Sequence, residues 1–423
     1  MTPWQRLTLI AVLLFMARGM TGPLSSLYWR SLGASYLVIG LLGTVTSVVA
    51  IGASYLWGRA SDRLAQRKVF LLGGLGGLAA CFALLAAAPT TVVLFPIYAL
   101  VAVAQAAYDT ASLALMGDWL EHRSSQEPRD ASRPPTGAGR RMGTYRGLAS
   151  LGFGVMAFLS GSLADRFSLR VPFVLAAGFF AVAFLLALRV HEPPSEAASA
   201  NSSVPQGRAK GQTLTSGAGP DPGTTALPLP PLLVAALLWS LVTGAVYAVW
   251  GNYMVEALGY TPGQMTRLWA LASLSEFPLM VFAGWLSDRI GRLPMLALGF
   301  GAWATVFVGY LVIPLMPWIV VVQLIRGFAY SAHTATAMTY AAEVRARAQR
   351  GRVSGLYGTS GALGSILGSS LGGAVTQYVG FRALIGAAAA VIAGGAVYLG
   401  SVAATRVGLS ARKPPASSGR LGE

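Results

Sequence analysis

This chain has little cysteine, little acid and little charge of either sign. Cys81 is the one cysteine among 423 residues, so neither an internal disulfide nor a cysteine-based zinc site is available. Charged residues make up 11% of the chain and hydrophobic ones 54%, whereas soluble domains carry about 25% charge. No nucleophile–base pair, metal-ligand cluster, phosphate-cradling loop or ATP site can be found, which argues against an enzyme. Only 15 acidic residues oppose 31 lysines and arginines, for a net charge of +16. That excess would suit a nucleic-acid partner, but its distribution does not.

What the chain has in abundance is long apolar runs. A helix that crosses a bilayer needs about 20 apolar residues. Twelve such stretches are expected, at roughly 7–28, 36–57, 69–88, 92–117, 143–163, 171–188, 232–255, 264–286, 295–313, 318–341, 353–375 and 384–404. They are numbered helices 1 to 12 in that order. The first shows no small-residue cleavage site, so it is expected to be a spanning helix and not a leader. With the sides alternating from a cytoplasmic amino terminus, about 24 of the 31 basic residues fall on cytoplasmic segments. Arg30, Arg166, Arg170, Arg267 and Arg382 fall outside, and Arg18 and Arg326 lie within spans. The bias reports orientation in a membrane, with both termini cytoplasmic, and makes nucleic acid an improbable partner.

The chain is also duplicated. Gly58-Arg59-Ala60-Ser61-Asp62-Arg63 reappears half a chain later as Gly284-Trp285-Leu286-Ser287-Asp288-Arg289, each copy closing an apolar run. The same offset matches Leu32-Gly33-Ala34-Ser35 to Leu258-Gly259-Tyr260-Thr261. Two similar membrane bundles joined end to end imply a secondary transporter. The expected organisation is a six-helix bundle at 1–190, a cytoplasmic linker at 191–230, a second bundle at 231–405 and a disordered basic tail at 406–423. An extra polar loop, Glu121–Arg141, lengthens the first half. Glycines cluster at three- and four-residue spacing, as in Gly355, Gly358, Gly361, Gly364 and Gly368. Within a bilayer this spacing lets helices approach closely.

The repeated loop resembles the Gly-x-Leu-Ala-Asp-Arg-x-Gly-Arg-Lys motif of the major facilitator superfamily, found between helices 2 and 3 and again between helices 8 and 9. Here it reads GRASDRLAQRK at 58–68, with Ala65 where the family has its second glycine, and GWLSDRIGR at 284–292. The resemblance implies an all-α polytopic protein of twelve transmembrane helices in two pseudo-symmetric six-helix bundles. It also implies alternating access, with helices 1, 4, 7 and 10 lining the pathway. The loops would act as a conformational gate formed by Gly58, Asp62, Arg63, Gly284, Asp288 and Arg289. A carboxylate at a helix C-terminus is disfavoured by the dipole and wants a cation; Arg146 and Arg352 are the expected partners by position. Leu27–Ser35, followed by Ile39-Gly40-Leu41-Leu42, resembles the helix 1–2 junction of several bacterial branches, and Glu276-Phe277-Pro278 followed by Gly284 resembles helix 8 of the lactose-permease-like and phenylpropionate-permease-like proton symporters. The Gly-Pro motif typical of helix 5 in drug/proton antiporters is missing. The helix 4 arginine common in the superfamily is replaced by the region of Val101 and Gln105, while Arg326-Gly327 stands on helix 10.

Ionisable residues deep in a span usually face a bundle interior or an aqueous cavity. They are Arg18 on helix 1, Asp109 on helix 4, Glu276 on helix 8, and Arg326 and His333 on helix 10. At 1.5 Å per residue, Arg18, Glu276 and Arg326 lie about 12–18 Å from their helix starts, near the midplane of a roughly 30 Å core. Glu276 is the leading candidate for proton coupling, freeing Arg326 or Arg18 to hold a substrate anion; a permanent Glu–Arg pair is the alternative. Asp109 is the second candidate, with a fixed hydrogen bond as its structural alternative. His333 suits a proton relay or a purely structural place. Tyr28, Gln105, Tyr108, Tyr247, Trp250, Asn252, Tyr253, Trp269, Gln323 and Tyr330 are expected on the cavity wall.

The expected function is proton-coupled transport of a small organic solute, possibly anionic, with no cofactor and the proton gradient as driving force. Export of lipophilic drugs by antiport is the alternative, and a non-transporting sensor or a lipid flippase a remote one. The expected setting is a bacterial cytoplasmic membrane, with lipid, protons and the solute as partners and a monomeric chain.

Overall fold

The computed structural model describes residues 3–64, 67–126, 137–190, 227–344 and 350–411. All regular structure among them is helical. Helix α1 (Pro3–Thr21) continues through a 3-10 turn (Gly22–Leu24) into a short helix, Ser25–Ser31. It is followed by α2 (Tyr36–Leu64), α3 (Arg67–Ala87), α4 (Leu94–Gln126), α5 (Gly137–Arg166) and α6 (Val171–Leu188). The second series is α7 (Leu229–Asn252), which ends in a π-helical turn (Tyr253–Ala257), then α8 (Pro262–Ile290), α9 (Arg292–Val312), α10 (Trp318–Glu343), α11 (Arg350–Tyr378) and α12 (Phe381–Ala411).

Ten of these helices are long and apolar enough to cross a membrane, and α10 and α11 are not among the ten. Both are long enough, at 26 and 29 residues. Their composition explains the difference: α10 carries Gln323, Arg326, Ser331, His333 and three threonines, and α11 is rich in glycine and serine. Helices that line a polar path or cross others closely have this character.

Two boundaries differ from expectation. Helix α4 runs on to Gln126 and α5 begins at Gly137, so the expected loop Glu121–Arg141 is helical at both ends. Glutamate, arginine and glutamine are good helix formers once α4 is nucleated in the apolar layer. Likewise α12 continues through Arg406 to Ala411, so the first part of the expected tail is helix. Of the expected linker at 191–230, residues 191–226 lie outside the described residues and α7 already begins at Leu229.

The matched turns are closed alike. Gly33 and Gly259 occupy the left-handed region, with φ of 89° and 75°, where a Cβ would be strained.

Packing divides the chain into two compact units that cut across the duplicated halves. The first holds Met1–Thr225, Gly244–Leu274 and Ser365–Phe381. In it α1 packs on α5 and α6, α3 on α4 and α6, and α2 on α4. Its aromatic centre is Phe173, with Tyr28 4.4 Å and Phe82 6.3 Å away between ring centroids. Arg6 and Lys68 donate to the carbonyls of Arg189 and Leu188, at the end of α6, where cations suit the helix dipole.

The same unit contains the ends of α7, α8 and α11: α7 packs on the turn and short helix after α1, α8 on α5, and α11 on α2. Gly40 of α2 and Gly373 of α11 meet backbone to backbone; a Cβ on Gly373 would collide with the Tyr36 carbonyl and lie 2.9 Å from Gly40 Cα. Thr44 Oγ1 and Ser370 Oγ are 2.6 Å apart one turn further along. Asp165 of α5 accepts from the Gly263 amide at 3.0 Å, capping α8. Arg267 donates to Ser162 at 3.1 Å.

The second unit holds Ala226–Thr243, Ser275–Gly364 and Arg382–Glu423. Here α9 lies along α10, and Phe300, Trp303, Phe307 and Tyr310 are fully buried. Gly364 of α11 admits the backbone of α7 at Leu237 and Leu241.

Candidate functional site

Two of the deep charges come together in the first unit. Arg18 Nη2 of α1 is 3.7 Å from Asp109 Oδ2 of α4, with the side chains 35% and 52% exposed. Gln105, one turn before Asp109, donates to its Oδ1 at 3.0 Å. The Phe15 ring lies beneath the Arg18 guanidinium, 5.5 Å from centroid to Cζ. Helical spacing puts Gln105 and Asp109 on one face of α4, and Phe15 and Arg18 on one face of α1.

The other deep charges share the second unit. Arg326 is buried and donates to Gln323 Oε1 at 3.1 Å. Glu276 is half-buried on α8 and its backbone carbonyl accepts from Ser331 of α10 at 3.0 Å. Arg326 is the cation whose field reaches the Glu276 carboxylate. Glu276 makes no ion pair within 4 Å with a described residue.

His333 occupies a different environment from the one a relay needs. It stacks on Trp239 at 4.4 Å and lies 5.8 Å from Phe300 between ring centroids. Neither ring nitrogen has a hydrogen-bond partner among the described residues. The structure supports the aromatic-packing alternative at this position.

The aromatic wall divides. Tyr247, Trp269 and Tyr330 are half-buried, as is Gln105. Trp269 meets Tyr247 at 5.3 Å and Trp250 at 5.1 Å, and Tyr330 lies 6.0 Å from Trp239. Tyr28, Tyr108, Trp250 and Gln323 are packed away, contrary to a place on an open wall. Tyr28 donates to the Leu85 carbonyl at 2.5 Å and stacks on Phe173. Tyr108 is in the core against Gly74 of α3, Trp250 is fully buried, and Gln323 is occupied by Arg326 and Tyr310.

At the second repeated loop Asp288 has a cation partner, but it is not Arg352, which is exposed. Arg292, the first residue of α9, donates to Asp288 Oδ1 at 2.6 Å. It also forks onto Glu343 of α10 through Nε and Nη2, at 3.0 and 2.7 Å, and Nη1 reaches Ser287 at 3.1 Å. Two carboxylates at helix C-terminal ends and a guanidinium at a helix N-terminus are each unfavourable alone; one fork relieves all three. Arg289 stacks on Trp285 at 4.1 Å, and Gly58 and Gly284 have open space where a Cβ would stand. The side chains of Asp62, Arg63 and Arg146 lie outside the described residues. Replacing Arg292 by alanine should lower stability by about 1–2 kcal/mol, because solvent screens the half-exposed carboxylates. Lysine, which cannot fork, should restore only part of it. Thermal unfolding of the two variants checks this; equal stability of Arg292→Ala and the parent overturns it.

A polar cluster that sequence reasoning missed sits where α7 ends. Glu256, on the π-helical turn, accepts from Tyr36 Oη at 2.5 Å and from Asn252 Nδ2 at 2.8 Å. Arg30 Nε is 3.6 Å from the same carboxylate, and its guanidinium lies over the Tyr36 ring at 4.7 Å. The available signal was an acidic residue at a helix C-terminal end, which asks for a cation.

The sequence matches the family described as MFS_1 like family over residues 4–385. No curated protein matches it significantly. Among solved structures, the nucleoside transporter NupG is similar with a TM-score of 0.72 at 15% identity, covering 98% of this chain and 100% of that one. A bacterial homolog of the human lysosomal transporter Spinster, inward-facing and unoccupied, reaches 0.67 at 17% identity, covering 98% of each. The peptide transporter POT in complex with sulfate reaches 0.67 at 13%, covering 96% and 94%. At these identities the likeness shows the fold.

Proposed function

We propose that this chain, which belongs to the MFS_1 like family and is therefore a membrane transporter of the major facilitator type and not an enzyme, is driven by protons and carries a small organic solute. The observation that carries the proposal is the Glu276 carboxylate: it is half-buried on a spanning helix, without a hydrogen bond or ion pair to a described residue, in the field of the buried Arg326. A carboxyl so placed can exchange its proton with water as access alternates between the two sides of the membrane. Arg326, held by Gln323, supplies a fixed positive potential, which suits an anionic or zwitterionic solute.

On this reading both termini are cytoplasmic. The chain works as a monomer in a bacterial cytoplasmic membrane and needs no cofactor. Proteoliposomes with a trapped pH dye and an imposed solute gradient test the coupling, using a panel of organic anions, nucleosides, peptides and lipophilic cations. Solute flux should carry protons in the wild type, and Glu276→Gln should lower the proton flux about tenfold while solute exchange at equal pH persists. Proton flux unchanged in Glu276→Gln would remove Glu276 from the mechanism. Proton release driven only by lipophilic cations would favour drug antiport.

A further inference from the structure

The ends of α1, α3 and α6 gather cations at one place in the first unit. Arg6 of α1 and Lys68 of α3 reach consecutive carbonyls at the end of α6, those of Arg189 and Leu188, with the Lys68 bond at 2.8 Å. Arg67 adjoins Lys68 in the first turn of α3, and the exposed Arg189 follows the last residue of α6. No acidic residue stands in the first turn of α3. No described carboxylate lies within 4 Å of Arg6 or Arg189. Capping α6 gives Arg6 and Lys68 a structural use, but it does not balance the charge. A helix C-terminus carries only about half a negative charge, and here it faces Arg6, Arg67, Lys68 and Arg189.

The same place is where three apolar spans end. The span in α1 begins at Trp4, the span in α3 begins at Arg67, and the span in α6 ends at Leu188. Exposed apolar side chains stand directly beside the cations: Val69, next to Lys68 on α3, and Leu185 and Leu188 in the last turn of α6. The cluster therefore has basic groups at the level where the apolar layer stops and bare aliphatic surface just inside it.

We propose that this cluster is a binding site for an anionic phospholipid, with the headgroup phosphate on Arg6, Lys68 and Arg189 and the acyl chains along Val69, Leu185 and Leu188. Charge sets the lipid class. A zwitterionic phospholipid brings an ammonium with its phosphate and leaves the excess positive charge unmet, whereas an anionic headgroup offsets it. Guanidinium groups match phosphate oxygens in pairs, and one N–H of Arg6 serves the carbonyl out of the five that a guanidinium carries. The aliphatic neighbours favour a lipid over free phosphate, which gains nothing from them.

A lipid held there would tie together the ends of three helices, α1 among them. The site depends neither on which solute is carried nor on what drives it; with both termini cytoplasmic, it lies in the inner leaflet. Basic residues scattered along a membrane surface attract anionic lipid diffusely. Convergence on the end of one helix is what makes this site local, and locality is what the experiment measures.

The test is thermal unfolding of the purified full chain in a neutral detergent, with phosphatidylglycerol, phosphatidylcholine or inorganic phosphate added. Phosphatidylglycerol should raise the melting temperature by about 3 °C or more, by mass action on the folded state, and the other two should not. The combined variant Arg6→Gln, Lys68→Gln, Arg189→Gln should lose this rise, read as the difference with and without lipid so that the lost capping bonds do not enter. Arg189→Gln alone leaves both carbonyl bonds in place and should lose part of the rise; it carries the test if the combined variant does not fold. Arg382→Gln, at an exposed arginine in the first turn of α12, should keep the rise in full. No rise with phosphatidylglycerol, an equal rise with phosphatidylcholine, an undiminished rise in Arg189→Gln, or an equal loss in Arg382→Gln would each overturn the site. An equal rise with inorganic phosphate would show a free-anion site and refute the lipid.

Discussion

Replacing Gly373 by valine is expected to reduce solute flux about a hundredfold while leaving the protein folded. The reason is local and steric. Gly373 and Gly40 meet with their backbones in contact, and a Cβ at either position would collide with main-chain atoms of the other helix. Backbone cannot swing aside as a flexible side chain can. Overpacking at such a point costs about 3 kcal/mol, which shifts a two-state equilibrium roughly a hundredfold toward the arrangement in which α2 and α11 are apart. On the alternating-access reading this contact opens in the opposite arrangement, so folding should survive. Gly386 of α12 has nothing within 4 Å of a Cβ position, and Gly386→Val is the matched control. A second readout needs no known solute. Thr44, now bonded to Ser370, replaced by cysteine in a Cys81→Ala background, should react faster with a membrane-impermeant maleimide when Gly373→Val is present. Flux and labelling like those of the parent would show that the close crossing is not required.

The second large effect concerns stability. Phe173 is fully buried at the start of α6 and joins Tyr28, which follows the 3-10 turn of α1, to Phe82 of α3. Three helices therefore meet on one ring. In lipid, transfer of the side chain from water contributes little to holding helices together, and what is lost on truncation is packing. Phe173→Ala removes the ring and leaves a cavity that three helices cannot all close. A loss of about 3 kcal/mol is expected, with Phe173→Leu losing less than half of that. Detergent thermal unfolding of both variants measures it, and equal losses would mean that the site collapses freely.

Much of the fold is legible in the sequence because it depends on composition and repetition. Twelve apolar runs specify the helices, and the matched Leu-Gly turns specify the duplication, down to the positive φ at Gly33 and Gly259. Side-chain direction is less legible. In helices that are apolar all round, the face toward a pathway and the face toward a protein core have the same residue types. Tyr28 and Tyr108 read as wall residues for this reason and pack in the core. Pairings between helices are less visible still: Arg18 and Asp109 were each conspicuous, but nothing in their sequence positions indicated that they would meet. Arg292 was a different kind of miss. It lies four residues after Asp288, across the turn at Gly291 that joins α8 to α9, and a more distant arginine was expected in its place.

The π-helical turn at the end of α7 has a consequence for the ancestry of the two halves. In the first copy Leu32 donates to Tyr28 and Ala34 to Trp29; in the second, Leu258 donates to Tyr253 and Tyr260 to Met254, one residue farther back in each case. The second copy thus carries one more residue at this point than the first, taken up as a wide turn. Residues before that turn must be compared with a shift of one, and a gapless comparison of the first helices is rotated by about 100°. Once corrected, Arg18 corresponds to Thr243, whose hydroxyl is bonded back to Trp239 of its own helix at 2.7 Å. The two matched helices differ here, one carrying a guanidinium that bonds no described residue and the other a hydroxyl satisfied by its own backbone.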